Sequence, residues 1–173
     1  KIALLNENSQ ATKNDIIYEM LKKEATKKKH EVVNLGMTGK ENEHQLTYVQ
    51  LGLMAALLLN TKAVDFIVTG CGTGEGAMLA LNSFPNVLCG LVVDPTDAYL
   101  FGQINNGNAI SIPYAKGFGW GSELNLCNIF SKLFEEEFGG GYPKERKDPE
   151  QRNKKILDEI KSITTKDMLT IIK

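Results

Sequence analysis

The chain contains 173 residues, of which 42% are hydrophobic and 24% are charged, a composition typical of one folded globular domain. This composition excludes an intrinsically disordered chain, because enough apolar side chains are present to form a core. The 20 basic and 21 acidic residues give a net charge of −1, which argues against broad electrostatic binding to nucleic acid or to an anionic membrane. We therefore expect a small-molecule partner, with no nucleic acid and no membrane.

Short apolar runs alternate with longer amphipathic runs, which is the pattern of parallel strands joined by helices. The predicted strands are residues 1–6, 30–35, 66–70, 86–93 and 109–113. The predicted helices are residues 13–29, 47–60, 75–83, 96–103 and 121–138. Runs that are apolar throughout indicate strands buried on both faces of the sheet. We expect an α/β fold with three α/β/α layers, flavodoxin-like, and a five-stranded parallel sheet in the order 2-1-3-4-5.

The last part of the chain has a different pattern. Residues 139–143 read GGGYP, which cannot continue a helix and is typical of a linker. Pro149 then begins an amphipathic helix over residues 150–163. We predict an α/β domain over residues 1–138 and a C-terminal helical arm over residues 139–173, which belongs to the same domain or to a dimer interface.

The helix predicted at residues 47–60 is apolar on nearly every side, although a helix in an outer layer usually exposes a polar face. Two interpretations are open: the C-terminal arm covers this helix, or a second copy of the chain does. Large apolar surfaces usually mark contact sites, which favours the second interpretation. We therefore expect a homodimer or a higher oligomer.

The cysteine pattern and the start of the chain indicate where in the cell the protein is located. Cys71, Cys89 and Cys127 are far apart and odd in number, and form no Cys-x-x-Cys pair, while the two histidines show no metal-ligand spacing. No signal peptide is recognisable, and the apolar stretch at residues 49–59 is too short to cross a bilayer. These features predict a cytoplasmic location and no metal site.

The segment TGCGTGEGAML, at residues 69–79, is the most informative part of the sequence. It follows the third strand, and open parallel sheets bind ligands at the carboxyl ends of strands. Alternating glycines expose backbone N–H groups, and the amino end of the next helix favours an anion. The same field would lower the pKa of the Cys71 thiol and supply a thiolate. The alternative for Cys71 is a small buried apolar residue, which is the interpretation preferred for Cys89 and Cys127.

Three segments resemble the ribose-5-phosphate isomerase B / galactose-6-phosphate isomerase family. CGTGEGAMLALNSFP resembles the glycine–cysteine loop of the family, DPTDAYLFGQINNGNAISIP is similar to its Gln-His-Asn segment, and GGGYPKERKDPEQR resembles its basic arm. The resemblance implies an aldose–ketose isomerase that moves a proton between adjacent carbons through an enediolate. It also implies that no cofactor is needed and that two subunits form the site.

The resemblance also implies roles for individual residues. Cys71 falls on the family's base, and the loop N–H groups fall on the hole that holds the enediolate, as fixed donors facing a developing oxyanion should. Together with the chemistry of the segment, this predicts Cys71, Thr73 and Glu75 as catalytic residues. The predicted substrate-binding residues are Asn6, Glu7, Tyr48, Gly72, Gly74, Gly76, Asn105, Lys116, Arg146 and Arg152.

Some of these charged residues also have simpler interpretations. Glu75 is either a solvated acid that interacts favourably with the helix dipole or a second acid/base beside Cys71, where its charge would raise the pKa of the thiol. Arg146 and Arg152 belong to a charged arm that could simply be solvated. An anionic ligand favours the interpretation that at least one residue of the arm binds it.

Departures from the family pattern bear on the substrate. Ile104 falls on the family's ring-opening histidine, and Asn6 and Glu7 replace an Asp-His pair, so a cyclic sugar phosphate would lack its usual acid–base help. One branch of the family isomerises 4-deoxy-L-threo-5-hexosulose uronate, an open-chain sugar with a carboxylate. The segments NENSQ, LTYVQ, ALNSFP and AKGFGWG resemble that branch, so we favour the uronate.

Other functions remain open at this stage. The chain could be a ribose-5-phosphate or galactose-6-phosphate isomerase, or one subunit of such an enzyme. It could also be a non-catalytic module that holds a sugar phosphate or a nucleotide. Asp94, at the end of the fourth strand, gives weak support to a dinucleotide site, although the spacing is GxGxGxG and not GxGxxG.

Overall fold

The computed structural model describes residues 1–40 and 43–173, and its centre is a five-stranded, all-parallel sheet. The strands are β1 (Ile2–Asn6), β2 (Val32–Asn34), β3 (Phe66–Cys71), β4 (Cys89–Leu91) and β5 (Ala109–Pro113). The α-helices are α1 (Asn14–Lys27), α2 (Tyr48–Asn60), α3 (Glu75–Asn82), α4 (Pro95–Leu100), α5 (Ser122–Leu133), α6 (Lys147–Thr164) and α7 (Met168–Ile172).

Helices cover both faces of this sheet, because successive side chains of a buried strand point to opposite faces. Leu4, Val68 and Ile110 contribute to one core, which α1, α4 and α5 cover. Leu5 and Ile67 contribute to the other core, beneath α2 and α3. The predicted α/β class with three layers is confirmed.

The strand order is β2-β1-β3-β5-β4, so the predicted order 2-1-3-4-5 is wrong for the last two strands. β5 is buried along its whole length and lies between β3 and β4, whereas β4 has only three residues and forms an edge. The segment between β4 and β5 packs closely against both strands. The ring of Phe101 occupies the space where side chains at Gly90 and Gly107 would otherwise lie. This exchange places the end of β5 beside the end of β3.

The predicted helices and strands are all present, and the differences lie at their ends. The fourth strand is shorter than predicted, the helix predicted to end at residue 138 ends at Leu133, and the last long helix begins earlier, at Lys147. The short helical turns at Asn8–Lys13 and Lys144–Arg146 and the last helix, α7, were not predicted, and the turn at Phe101–Asn105 begins within the helix predicted at residues 96–103. Within the described residues, no helix is both long enough and apolar enough to cross a bilayer.

The C-terminal arm packs on the rest of the chain only in part. The side-chain amide of Gln151 donates to the carbonyl of Ile104 at 3.2 Å, and α7 contacts α2. Yet Val49, Leu53 and Leu57 remain 57%, 36% and 36% exposed, at four-residue intervals along α2. The arm therefore covers only part of α2, and the expected subunit interface on this helix remains a prediction.

Candidate active site

The candidate site lies where β1, β3 and β5 end at the same edge of the sheet. The register pairs Asn6 with Gly70 and Cys71 with Pro113, so the segments that follow the three strands are neighbours. The winding of the sheet reverses between β1 and β3, and the position of β5 next to β3 adds the end of β5 to this site.

Two backbone hydrogen bonds join the end of β5 to the start of the glycine–cysteine loop. The N–H of Tyr114 donates to the carbonyl of Cys71 at 2.9 Å, and the N–H of Ala115 donates to the carbonyl of Gly72 at 2.9 Å. The next residue, Lys116, is exposed. The strand order thus brings Lys116, one of the predicted binding residues, to the edge of the loop.

Gly74 fixes the path of the loop into α3. Its φ of +78° is left-handed, and a Cβ at this position would lie 2.7 Å from Leu91 Cδ1. Both constraints require glycine. The fully buried hydroxyl of Ser111 donates to the Gly74 carbonyl at 2.6 Å, which anchors the loop on β5.

Most of the N–H groups of the loop are unpaired. Within residues 1–40 and 43–173, those of Gly72, Thr73, Gly74 and Gly76 donate to no acceptor, whereas the N–H of Glu75 donates to Thr73 Oγ1 at 3.3 Å. Unpaired donors at the amino end of a helix form a site for an anion. The loop therefore has the geometry that stabilisation of an enediolate needs, and the assignment of these residues remains a prediction.

The three cysteines differ in their surroundings. Cys71 is 6% exposed and ends β3 directly beneath the loop. Cys89 packs within the core beneath α3, and this burial raises the pKa of its thiol far above the ordinary value. Cys127, on α5, lies with its sulfur 3.2 Å from that of Met20. Only Cys71 lies beside the unpaired N–H groups.

The predicted binding residues Asn6, Glu7 and Tyr48 surround the same edge, but they differ in accessibility. Asn6 is fully buried and its amide donates to Asn14 at 2.9 Å. Glu7 is 3% exposed and accepts from the N–H and the hydroxyl of Ser9. Tyr48 begins α2 and is 40% exposed. Asn6 and Glu7 are thus held by their own chain, whereas Tyr48 is open to a ligand.

Tyr48 also touches the loop directly. A Cβ at Gly76 would lie 3.2 Å from the Tyr48 ring, so glycine at this position lets the ring pack against the first turn of α3. The carboxylate of Glu75, in the same turn, is exposed. This exposure agrees with a solvated acid in the first turn of α3. The other possible role of Glu75, as an acid/base in catalysis, remains a prediction.

The structure places the remaining predicted residues elsewhere. Asn105 lines a groove along β4, together with Leu157 of α6. Arg146 and Arg152 are exposed on the C-terminal arm. Among the described residues, no hydrogen bond joins these three to the Cys71 loop. One chain therefore holds the predicted site as two separate groups, one at the end of β3 and a second made of Asn105, beside β4, and the two arginines of the arm.

Sequence reasoning missed two polar residues beside the loop, Gln10 and Lys13. The Gln10 amide nitrogen lies 3.9 Å from where a Cβ at Gly72 would be. The Lys13 ammonium donates to Gln10 Oε1 at 2.8 Å and to the carbonyl of Tyr114. Their three-residue spacing, immediately after a strand already expected to end at the site, was the signal available in the sequence.

A flavodoxin-like domain whose central strand ends in a cysteine and a row of unpaired N–H donors has the parts of an enzyme that stabilises an oxyanion. A family model for ribose/galactose isomerases matches residues 2–149, and the chain belongs to this family of sugar isomerases. The predicted family and the predicted enzyme class are confirmed.

Two solved structures are similar over nearly the whole chain. One is a 4-deoxy-L-threo-5-hexosulose-uronate ketol-isomerase complexed with a tartrate, with 64% identity and a TM-score of 0.96, covering 99% of this chain and 80% of that one. The other is a ribose-5-phosphate isomerase from Vibrio parahaemolyticus, with 54% identity and a TM-score of 0.94, covering 98% and 79%. A type B ribose 5-phosphate isomerase from Trypanosoma cruzi shares the fold at 17% identity and a TM-score of 0.76, covering 93% and 97%.

The Ser111 hydroxyl provides a test of how firmly the loop is held. Ser111→Ala removes one of the two donors to the Gly74 carbonyl and leaves only the N–H of Met78, at 3.1 Å, so the free energy of unfolding should fall by about 0.5–1.5 kcal/mol. Turnover should fall as well, because the loop N–H groups lose their fixed position. Urea denaturation and steady-state kinetics measure the two effects.

The matched control is Ser83→Ala, which removes an exposed hydroxyl that also donates to a backbone carbonyl, at 2.8 Å. Water can replace that bond, so stability should change by less than about 0.5 kcal/mol. Equal effects of the two substitutions would show that the buried bond does not anchor the loop.

Proposed function

We propose that this protein is a sugar ketol-isomerase whose favoured substrate is 4-deoxy-L-threo-5-hexosulose uronate. The observation that carries the proposal is the position of Cys71 beside four unpaired loop N–H groups in a chain that belongs to a sugar isomerase family. The choice of the uronate is supported by 64% identity to a ketol-isomerase of that compound. It is also supported by Ile104, which cannot move the proton that opening a sugar ring requires.

In the proposed reaction, Cys71 acts as the base. The thiolate takes the proton from the carbon beside the substrate carbonyl, and the electron pair of that C–H bond moves onto the carbonyl oxygen. The N–H groups of Gly72, Thr73, Gly74 and Gly76 donate to the resulting enediolate. The thiol then returns its proton to the neighbouring carbon, and one O–H proton moves between the two oxygens. Thr73 and Glu75, whose side chains are exposed on the loop, are the residues proposed to assist that last transfer.

A second candidate substrate is ribose 5-phosphate. A specific observation favours it, because the Vibrio parahaemolyticus structure that is 54% identical to this chain is a ribose-5-phosphate isomerase. The same base and the same loop would serve either substrate. The difference lies in ring opening, which the phosphate sugar needs and Ile104 cannot provide.

We further propose a homodimer, or a higher oligomer, in which the arm of one copy completes the site of the other. The apolar side chains of α6 lack cover in a single chain: Ile156, Leu157 and Ile160 are about half exposed. The stripe of Val49, Leu53 and Leu57 on α2 is a second uncovered apolar surface. Burying such stripes against another copy would stabilise the pair.

This arrangement would also unite the two groups of predicted site residues. Asn105 lies beside β4, and Arg146 and Arg152 are exposed on the arm; among the described residues none of the three forms a hydrogen bond with the Cys71 loop. A partner's arm could bring the same residues to the loop, so residues 139–173 are proposed to serve the interface. We also propose a cytoplasmic location, which the three unpaired cysteines support.

Replacing the proposed base tests the mechanism. Cys71→Ala should lower kcat by about a hundredfold or more, because general-base catalysis commonly contributes a factor of that size. Solvent deuterium should also cease to enter the carbon next to the carbonyl. Cys127→Ala is the control, since this thiol lies on α5, away from the loop, and should keep turnover and exchange near wild type. Near-normal turnover of Cys71→Ala, with an unchanged unfolding transition, would remove Cys71 from the mechanism.

A substrate panel tests the preference for the uronate. We expect kcat/KM to be highest for 4-deoxy-L-threo-5-hexosulose uronate, and at least about tenfold lower for ribose 5-phosphate and galactose 6-phosphate, whose rings must be opened. The assay uses the purified chain alone, which also tests whether a second type of subunit is needed. Activity on the phosphates only would overturn the preference, and deuterium exchange with none of the three would favour a binding module.

A mixing experiment tests whether two copies share the site. Cys71→Ala and the double variant Arg146→Ala/Arg152→Ala should each be weak alone. Co-expressed, they should recover about a quarter of wild-type activity, because random pairing makes half the dimers mixed and each mixed dimer holds one intact site. Pairing Cys71→Ala with Thr73→Ala, which both alter the loop, should recover nothing. Absence of recovery in the first pair would argue that each chain forms its site alone.

A further inference from the structure

We propose that Lys13 is the cation that binds the acidic group of the substrate, within the same chain and at the same edge of the sheet as Cys71. This inference rests on the proposed function, because it names the residue that recognises the ligand's charge at that site. Neither the sequence pattern nor the family resemblance pointed to Lys13.

Lys13 lies between the two segments that flank the end of β3. It ends the helical turn that follows β1, and its ammonium group donates to the carbonyl of Tyr114, which follows β5. It also donates to Gln10 Oε1 at 2.8 Å. The amide nitrogen of Gln10 approaches Gly72, the first glycine of the loop after Cys71. The ammonium group is therefore one side chain away from the unpaired N–H donors.

Lys13 forms no direct ion pair within residues 1–40 and 43–173. Lys13 is half-buried, and its partners are a carbonyl, an amide oxygen and the ring of Phe118, whose centroid is 4.7 Å from the ammonium nitrogen. Among the described residues, no carboxylate lies within ion-pairing distance of it. A partly desolvated cation that has only neutral partners is a strong site for an anion, because an incoming carboxylate gains a charge-assisted hydrogen bond.

A chain of hydrogen bonds holds Lys13 in place. The Gln10 amide donates to the Ser9 hydroxyl at 2.9 Å, and that hydroxyl donates to the buried carboxylate of Glu7. Glu7 thereby orients Gln10 so that its Oε1 faces the ammonium group. Two neutral side chains separate Glu7 from Lys13, so the carboxylate positions the cation without pairing with it.

The other cations that were predicted to bind an anion are placed less well for this role in a single chain. Arg146 and Arg152 are exposed on the arm, and Lys116 is exposed beyond the end of β5. Lys13, by contrast, is half-buried. Its ammonium group bonds to Gln10, which follows β1, and to Tyr114, which follows β5. A lysine binds as a point charge, which suits a carboxylate at the end of an open-chain sugar.

The test removes the charge and keeps the donor. Lys13→Gln retains an N–H for the Tyr114 carbonyl, and Lys13→Met is a second neutral variant in case the first does not fold. Lys23→Gln, an exposed position on α1, is the matched control. The probes are tartrate, a small dicarboxylate, measured by calorimetry, and the uronate, measured by steady-state kinetics. Thermal unfolding verifies each fold.

We expect the neutral variants to bind tartrate about tenfold more weakly or worse, and to raise KM for the uronate by a similar factor while kcat changes less. Lys13→Arg should recover part of the affinity, and Lys23→Gln should behave as wild type. A merely structural role would change the melting temperature and leave tartrate affinity unaltered. Wild-type affinity and KM in a folded neutral variant would overturn the proposal.

The outcomes also separate this proposal from the proposed function. If the wild type binds tartrate through Lys13 but does not turn over the uronate, the anion site stands and the substrate assignment fails. If turnover is normal in a folded Lys13→Gln, the isomerase stands and the Lys13 site fails. A weakening for ribose 5-phosphate without one for tartrate or the uronate would overturn recognition of a carboxylate, and a wild type that binds neither would overturn both proposals.

Discussion

The pairing of β3 with β5 is the constraint on which the site depends. These two strands stay in register to Cys71 and Pro113, so the loop starts from a fixed point of the sheet. The close approach requires glycine at position 70, where a Cβ would lie 2.3 Å from the Ile112 carbonyl oxygen and equally close to the Tyr114 ring. A loop that starts from a pairing this tight can keep its N–H groups directed at a ligand, and such preorganisation makes hydrogen-bond donors effective in catalysis.

The parts of this arrangement that are local in sequence could be predicted, and those that depend on long-range packing could not. The loop was identified from its glycines, and α3 was predicted within one residue of its observed end at Asn82. The order of β4 and β5 was wrong because it depends on the pairing of β5 with β3, which lies some forty residues earlier in the chain, and that pairing has no signal in the local pattern. Lys13 was overlooked for the same reason, since its role is visible only when the ends of β1 and β5 lie side by side.

The resemblance predicted Asn105 and Arg152 at the site, yet in one chain Asn105 lies beside the edge strand β4 and Arg152 is exposed on α6. A family pattern reports which residues act together and does not say whether they belong to one copy. The exposed apolar face of α6 supplies the missing physical information: a helix with one apolar face gains stability when that face is buried. Assembly and catalysis would then depend on the same segment, because an arm that docks on a partner also delivers the arm's basic residues.

Charge conservation links the proposed base to the proposed anion site. When a thiolate takes a proton from a neutral carbon, the negative charge leaves Cys71 and appears on the substrate oxygen, so the loop N–H groups face one negative charge throughout the reaction. A carboxylate on the substrate adds a second negative charge, which the half-buried ammonium group of Lys13 can face, with Glu7 held two side chains away and Lys116 exposed beside the loop. A phosphate would add a charge of about −1.5 to −2, more than one lysine neutralises, and would depend on further cations such as those of the arm. The exposed carboxylate of Glu75 is screened by solvent and weighs little in this balance. The single positive charge of Lys13 is therefore matched to a carboxylate better than to a phosphate.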